Sequence, residues 1–222
     1  MFLLKKIIYK IIRPNTKWDF VINLPISAKV LDVGCGSHGS TKLKSKRKDI
    51  KYVGIDIGHY HFNETDIQNC DEFILTTPEE FDKKIGQFDN EFDAIISNHN
   101  LEHCNNYIAV LLAMIKSLKK NGKMYIAFPA ENSIHFPARN GSLNFYDDST
   151  HINLIHFNSF IHLLKENGLE IHFKTKNYKP IIPYLIGFLL EPISKFKKTQ
   201  MSFLNSTWAF YGFETIIIAK KK

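Results

Sequence analysis

Short apolar runs recur along this chain and alternate with stretches whose apolar residues fall three and four positions apart. Val30, Leu31 and Val33 read as a buried parallel strand, and Lys51–Ile57 and Phe92–Ser97 read as two more. Glu72–Leu75 is a shorter strand candidate between them. Leu101, Ile108, Leu111, Leu112, Ile115 and Leu118 keep helical spacing, which predicts a helix between Leu101 and Lys119 covering one sheet face. Strand–helix alternation of this kind predicts an α/β fold with a doubly wound parallel sheet.

Three segments stand outside that alternation. Leu3, Leu4, Ile7, Ile8 and Ile11 recur at helical spacing beside Lys5, Lys6, Lys10 and Arg13, predicting a basic amphipathic helix over residues 2–13 within an N-terminal cap, 1–27. It either packs across the sheet or the mouth of a ligand site, or lies on a membrane surface. Lysines interrupt its apolar stretch and no small-residue cleavage site follows, so neither a signal peptide nor a spanning helix is expected. Residues 130–150, rich in Asn, Ser, Pro and Asp, predict a long loop over the carboxyl ends of the strands, on the substrate side. Residues 177–207 carry the apolar run Pro180–Pro192, followed by Lys195, Lys197 and Lys198. That run is too short to span a bilayer. It reads as a lid on the core, or, over 180–198, as a substrate wall or a membrane-interface element.

The 222 residues suit one domain, and 44% hydrophobic residues with 18 Phe mark it as globular. A net charge of +7 adds the expectation of an anionic neighbour, either a small substrate or a membrane surface. No nucleic-acid-binding signature accompanies the charge, so nucleic acid is not expected as a partner. Cys35, Cys70 and Cys104 lack C-x-x-C spacing, which argues against a Cys-rich zinc site and fits a reducing cytoplasm.

Candidate chemistry concentrates where the first strand ends, in Val30-Leu-Asp-Val-Gly-Cys-Gly-Ser-His-Gly39. Gly34 and Gly36 allow a tight turn that brings backbone N–H groups close to a ligand. With Gly39 they also satisfy G-x-G-x-x-G, yet Asp32 would repel the pyrophosphate of a dinucleotide bound there. A cationic ligand suits the site better. On these residues the chain resembles the class I S-adenosylmethionine-dependent methyltransferases, whose first motif commonly reads hydrophobic-Leu-Asp-hydrophobic-Gly-Cys-Gly. The resemblance continues through Asp56 at the second strand's end and through Asn98-His-Asn-Leu-Glu102-His103. It extends through Asn121-Gly122 before Lys123–Pro129, similar to the family's fifth strand, through His156–Gly168 and Leu169–Lys176, similar to its late helix and sixth strand, and through Trp208–Lys220, similar to its seventh strand. It implies a Rossmann-like, seven-stranded, mainly parallel sheet of order 3-2-1-4-5-7-6, its last strand antiparallel, with helices on both faces. More loosely, Gly141–His151, Leu190-Glu-Pro192 and Trp208–Phe213 are similar to methyltransferases of bacterial surface-glycan pathways.

By that resemblance the cofactor is S-adenosylmethionine. Gly34, Cys35 and Gly36 would line its methionyl part and Asp32 would orient its amino group. Asp56 would take the ribose, Ile57 one face of adenine, and Ser97 with Asn98 would approach the methionyl group. Many relatives place an acid after the third strand for the adenine amine. This chain has Thr76-Thr77-Pro78, so Thr77 or a backbone carbonyl would serve, with Asp66 as the alternative.

A hydroxyl acceptor is a poor nucleophile at neutral pH and needs a general base or a metal. His99, Glu102, His103 and His151 are the candidates. His99 and His103, four apart, share a helix face if the helix has begun by then. The group reads as a structural cap, as a general base at His103 or His151, or as a metal site whose nitrogen-rich ligands favour zinc or iron over magnesium. Some O-methyltransferases, those of ubiquinone biosynthesis among them, hold a divalent metal with acid-x-x-Glu-His and a distant His. Here His99 stands at the first acid position.

The expected activity is methyl transfer to a hydroxyl of a small molecule or of a sugar or glycan precursor, in a cytoplasmic protein that contacts the inner membrane face if residues 2–13 or 180–198 bind lipid. N-methyl transfer, a catalytically silent cofactor-binding or regulatory protein of the same fold, and an NAD-dependent oxidoreductase are the alternatives.

Overall fold

The computed structural model describes residues 12–60 and 63–222. Seven strands form one sheet: β1 (Lys29–Val33), β2 (Lys51–Asp56), β3 (Glu72–Leu75), β4 (Phe92–Asn98), β5 (Leu118–Pro129), β6 (Leu169–Thr175) and β7 (Glu214–Lys221). Their order is β3-β2-β1-β4-β5-β7-β6. The first five run parallel, and β7 is antiparallel to both β5 and β6. This is the Rossmann-like order that the family resemblance implies, with the strand candidate at Glu72–Leu75 in its expected place.

β1 lies at the centre, with Leu31 in register with Val53 of β2 and Ile95 of β4. Both of its faces are covered, so an almost continuous apolar run is needed there. On one face Leu31, Val33, Ile95 and Ile126 pack against α4 (Phe81–Ile85), α5 (Tyr107–Ser117) and α6 (Phe157–Glu166). On the other, Val30, Tyr52, Ala94 and Tyr125 pack against Phe20 and Val21 of α1 (Lys17–Ile22) and Leu43 of α2 (Gly39–Lys44). α3 (Glu64–Asn69) packs beside α2. α7 (Ile181–Lys197) and α8 (Ser206–Tyr211) pack on each other in the connection between β6 and β7.

Two elements differ from the sequence expectation. The helix expected from Leu101 starts only at Tyr107. Leu101–His103 forms a single 3₁₀ turn and Cys104 is extended. The Asn106 side chain accepts from the Ala109 N–H at 3.0 Å, so the N-cap fixes the start at Tyr107 and not at Leu101, where the apolar spacing begins. The run Trp208–Lys220 divides into α8 and β7, because Gly212 (φ +73°) ends the helix in a left-handed conformation.

The amphipathic helix expected over residues 2–13 lies outside the described residues except for its last two positions. The expected loop 130–150 contains two short 3₁₀ turns, Glu131–His135 and Phe145–Asp147. Among the described residues no helix is long and apolar enough to cross a membrane.

Candidate active site

The chain leaves β1 through Gly34 (φ +68°) and Gly36 (φ +55°). A Cβ on Gly34 would stand 2.2 Å from the Asn100 side-chain oxygen, whereas one on Gly36 would meet nothing within 4 Å. The first glycine therefore serves packing and the second leaves space open above the turn. Backbone N–H groups tie the turn to β2: Gly34 donates to the Ile55 carbonyl at 2.9 Å and Gly36 to Asp56 Oδ2 at 2.7 Å. The Ile57 N–H donates to Asp56 Oδ1, also at 2.7 Å. Burial pushes the Asp56 carboxyl above the usual carboxylate range, with the Gly36 and Ile57 N–H groups pulling against it.

Above this turn lies a cleft of about 790 Å³. Gly34, Gly36, Asp56, half-exposed Ile57, Asn100 and His103 are in its lining. Thr77 is exposed and lies outside the lining, whereas Pro78, Glu79 and Asp82 contribute to it. Asp66 is also absent from the lining. It is fully buried, accepting from the Thr41 hydroxyl at 2.6 Å, facing His38 at 2.7 Å and capping α3 with Asn63. Glu79 is the acid that sequence reasoning passed over, and its signal was Glu79-Glu80 directly after Thr-Thr-Pro. Cys35 is buried near Gly54 and burial pushes its thiol strongly up, so it fills space and is no nucleophile. Ser97 is fully buried at the end of β4.

A second cavity of about 410 Å³ shares Ser37 and His99 with the first. Asn98, Arg13, Lys17, Tyr125 and Trp208 are in its lining. Asp32 is almost wholly buried and engaged from two sides. Lys17 Nζ donates to both of its oxygens at 3.0 and 3.2 Å, and the Tyr52 hydroxyl donates at 3.1 Å. Lys17 had no mark in the sequence, because nothing local relates it to an acid 15 positions later.

His99 stands at the junction of the two cavities, with φ +53° and its N–H donating to the Ala127 carbonyl at 2.8 Å. Its Nδ1 faces Glu102 Oε1 at 3.2 Å and its Nε2 faces Glu214 Oε1 at 3.1 Å. Burial alone would lower its pKa, but the two carboxylates outweigh it and hold the imidazole up at about 10. At neutral pH this is an imidazolium, stacked on Phe213 (interplanar 7°) and flanked by Trp208. His99 is thereby held by Glu102 and Glu214, and His103 by Thr150. The expectation of a shared helix face fails because the helix has not begun at either residue.

Glu102, His103 and His151 do come together, one ligating atom of each lying within 4.8 Å of the others. His103 Nδ1 faces two oxygens of Thr150, the hydroxyl at 2.9 Å and the carbonyl at 3.2 Å. That hydroxyl gives its own proton to Asp148 at 2.5 Å, so it must accept from His103. His151 Nδ1 donates to the Phe145 carbonyl at 2.6 Å. Each neutral ring is thus held as the Nδ1–H tautomer, leaving an Nε2 lone pair. Among the described residues Glu102 Oε2 is buried without a hydrogen-bond partner. Two imidazole nitrogens and a carboxylate oxygen are donors suited to a divalent metal such as zinc or iron(II). They are equally a base with a carboxylate beside it.

The segments that follow β5 and β6 are tied to each other by hydrogen bonds. Trp208 Nε1 donates to the Ser142 carbonyl at 2.7 Å. Arg139 and the Tyr211 hydroxyl both donate to Glu191 Oε1, at 3.1 and 2.7 Å. The loop 130–150, α7 and α8 therefore form one hydrogen-bonded wall.

A family model described as a methyltransferase domain matches residues 12–173. No curated protein matches the chain. Among solved structures the fold is similar to a SAM-dependent methyltransferase from Archaeoglobus fulgidus, at 21% identity and TM-score 0.55, covering 100% of this chain and 95% of that one. It is similar to the putative methyltransferase of Haloferax volcanii solved in complex with the Trm112 methyltransferase activator, at 15% identity and TM-score 0.60, covering 97% and 93%. It is also similar to phosphoethanolamine N-methyltransferase 2 of Haemonchus contortus, solved with S-adenosylhomocysteine, at 14% identity and TM-score 0.54, covering 98% of this chain and 57% of that one.

Proposed function

This chain belongs to the methyltransferase domain family, and we propose that it transfers the methyl group of S-adenosylmethionine to a hydroxyl oxygen of a small molecule or of a sugar or glycan precursor. The observation carrying the cofactor reading is the cleft of about 790 Å³ bounded by the open side of Gly36 and the buried Asp56 carboxylate. Asp56 is the acceptor for the ribose hydroxyls, and Ile57 offers an apolar surface to the adenine. Glu79, not Thr77, is the acid for the adenine amine. The amino-acid end lies toward the second cavity, where Lys17 and Arg13 are the cations for its carboxylate; Asp32, buried and held by Lys17 outside that lining, reaches the ammonium through water.

When bound, the cofactor supplies a methyl group already activated by its sulfonium. What remains for the protein is alignment, worth about 7–11 kcal/mol for well-oriented reactants, and removal of the acceptor proton. His103 Nε2 faces that task from the cleft wall, with Thr150 and Asp148 fixing its tautomer. The His151 ring packs against the His103 ring, centroids 4.8 Å apart. The bonds joining Ser142 to Trp208 and Arg139 to Glu191 tie together segments similar to those of glycan-pathway enzymes, which supports a sugar or glycan-precursor acceptor.

A second reading rests on Glu102 Oε2, a buried carboxylate oxygen with no partner among the described residues. Glu102, His103 and His151 would then hold a divalent metal that orients the acceptor and lowers the pKa of its hydroxyl.

Calorimetric titration of metal-stripped protein with S-adenosylhomocysteine tests the cofactor reading, repeated with zinc, iron(II) and magnesium. Micromolar binding is expected, weakened by roughly tenfold or more in Asp56→Ala. Absence of binding, or preference for NAD(H), would overturn it. Binding without methyl transfer across an acceptor panel would leave a cofactor-binding protein of this fold.

A further inference from the structure

α7 has 17 residues and packs firmly on its inner side. A Cβ on Gly187 would stand 2.1 Å from the Ser206 carbonyl oxygen, so the helix lies in close backbone contact with α8. Pro183 and Ser194 are buried on the same side, and Glu191, the helix's one acid, turns inward to Arg139 and Tyr211. The outer side carries Ile181, Leu185, Phe188, Leu189, Ile193 and Phe196, all exposed, Phe196 at 88% and Leu189 at 71%. At about 100° per residue these positions fill one continuous face roughly 140° wide, with Lys195 on one border and Lys197 on the other. Lys198 follows at the C-cap. Soluble surfaces rarely expose a contiguous patch of this kind without a use for it.

We propose that α7 is an interfacial helix that seats the protein on an anionic lipid bilayer, its apolar face in the acyl boundary and Lys195, Lys197 and Lys198 on the headgroups. Charge complementarity selects this occupant. A second copy pairing through the same helix would cover the apolar stripe but bring no acid to the lysines, because Glu191 is already bound inside. Anionic headgroups satisfy the apolar and the basic parts together. The proposal does not depend on the methyltransferase reading, since it rests on the outer face of α7 alone.

Cosedimentation of the full chain with phosphatidylcholine vesicles, with and without one quarter phosphatidylglycerol, tests it. Wild type is expected to bind the anionic vesicles, and less so at high salt. Two chemically different variants, Phe188→Ser/Phe196→Ser and Lys195→Glu/Lys197→Glu, are each expected to weaken binding by about tenfold or more. Both change exposed positions, so thermal melting and S-adenosylhomocysteine affinity should stay near wild type. Undiminished binding in both variants would overturn the proposal and point to residues 2–13. So would wild-type indifference to vesicles, or a solution dimer that Phe188→Ser/Phe196→Ser dissociates.

Discussion

Lys17 and Asp32 form a bidentate ion pair at the end of β1, one ammonium lying 3.0 and 3.2 Å from the two carboxylate oxygens. Asp32 is almost wholly buried and Lys17 largely so, which makes each the other's main compensation. Lys17→Met should therefore lower stability by about 2 kcal/mol, a melting shift of roughly 4–8 °C. Adding Asp32→Asn should recover part of the loss by removing the stranded carboxylate. S-adenosylhomocysteine affinity should stay reduced in both, because the cation for its carboxylate is gone. Thermal melts and calorimetry on the two variants check this, and additive losses would show that the pair is not coupled.

His99 predicts a distinctive pH dependence. Its imidazole is raised from 6.5 to about 10 by Glu102 and Glu214, against the opposing effect of burial. A group that binds its proton more tightly when folded contributes stability that is fully present below the unfolded pKa, about 6.5, and is lost as pH rises through about 10. The melting temperature of wild type should fall across that window. His99→Gln should be less stable at pH 7 and should lack this decline. An unchanged slope in the variant would assign the decline to another group.

The two glycines of the turn should respond oppositely. Gly34→Ala forces a Cβ to within 2.2 Å of Asn100 and should compromise folding. Gly36→Ala meets no protein atom within 4 Å, so its cost is the left-handed backbone alone, about 1–2 kcal/mol. Its methyl group enters the cleft, and S-adenosylhomocysteine affinity should fall more than stability does. Loss of stability with unchanged affinity in Gly36→Ala would place the ligand elsewhere.

His103 separates the two readings of the acceptor side. As general base its replacement by Ala should lower turnover about a hundredfold, with S-adenosylhomocysteine affinity changed by less than about threefold. Chelators should then leave the wild-type rate untouched. If chelation instead abolishes turnover and zinc or iron(II) restores it, Glu102, His103 and His151 act as metal ligands. N-methyl transfer, which needs no base of this kind, should survive His103→Ala.

Much of this protein was legible in the linear pattern. Strands buried on both faces need apolar runs, so β1, β2 and β4 could be read off directly, and with them the turn at Gly34–Gly36 and the acids Asp32 and Asp56 that close their strands. Helix starts were less legible, since apolar spacing marks which face is covered but not where the N-cap falls. Asn106 settled that, and with it the failure of His99 and His103 to share a helix face. The partners of the charged groups were decided only by tertiary structure. Lys17 reaches Asp32 from α1, and Glu214 reaches His99 from a strand 115 positions later. The outward face of α7 is of the same kind, because the sequence shows an apolar run with lysines after it, but only packing against α8 determines which residues are left to face solvent. Local sequence encodes periodicity and turn chemistry, whereas charge pairing and exposure depend on which distant segments the sheet order brings side by side.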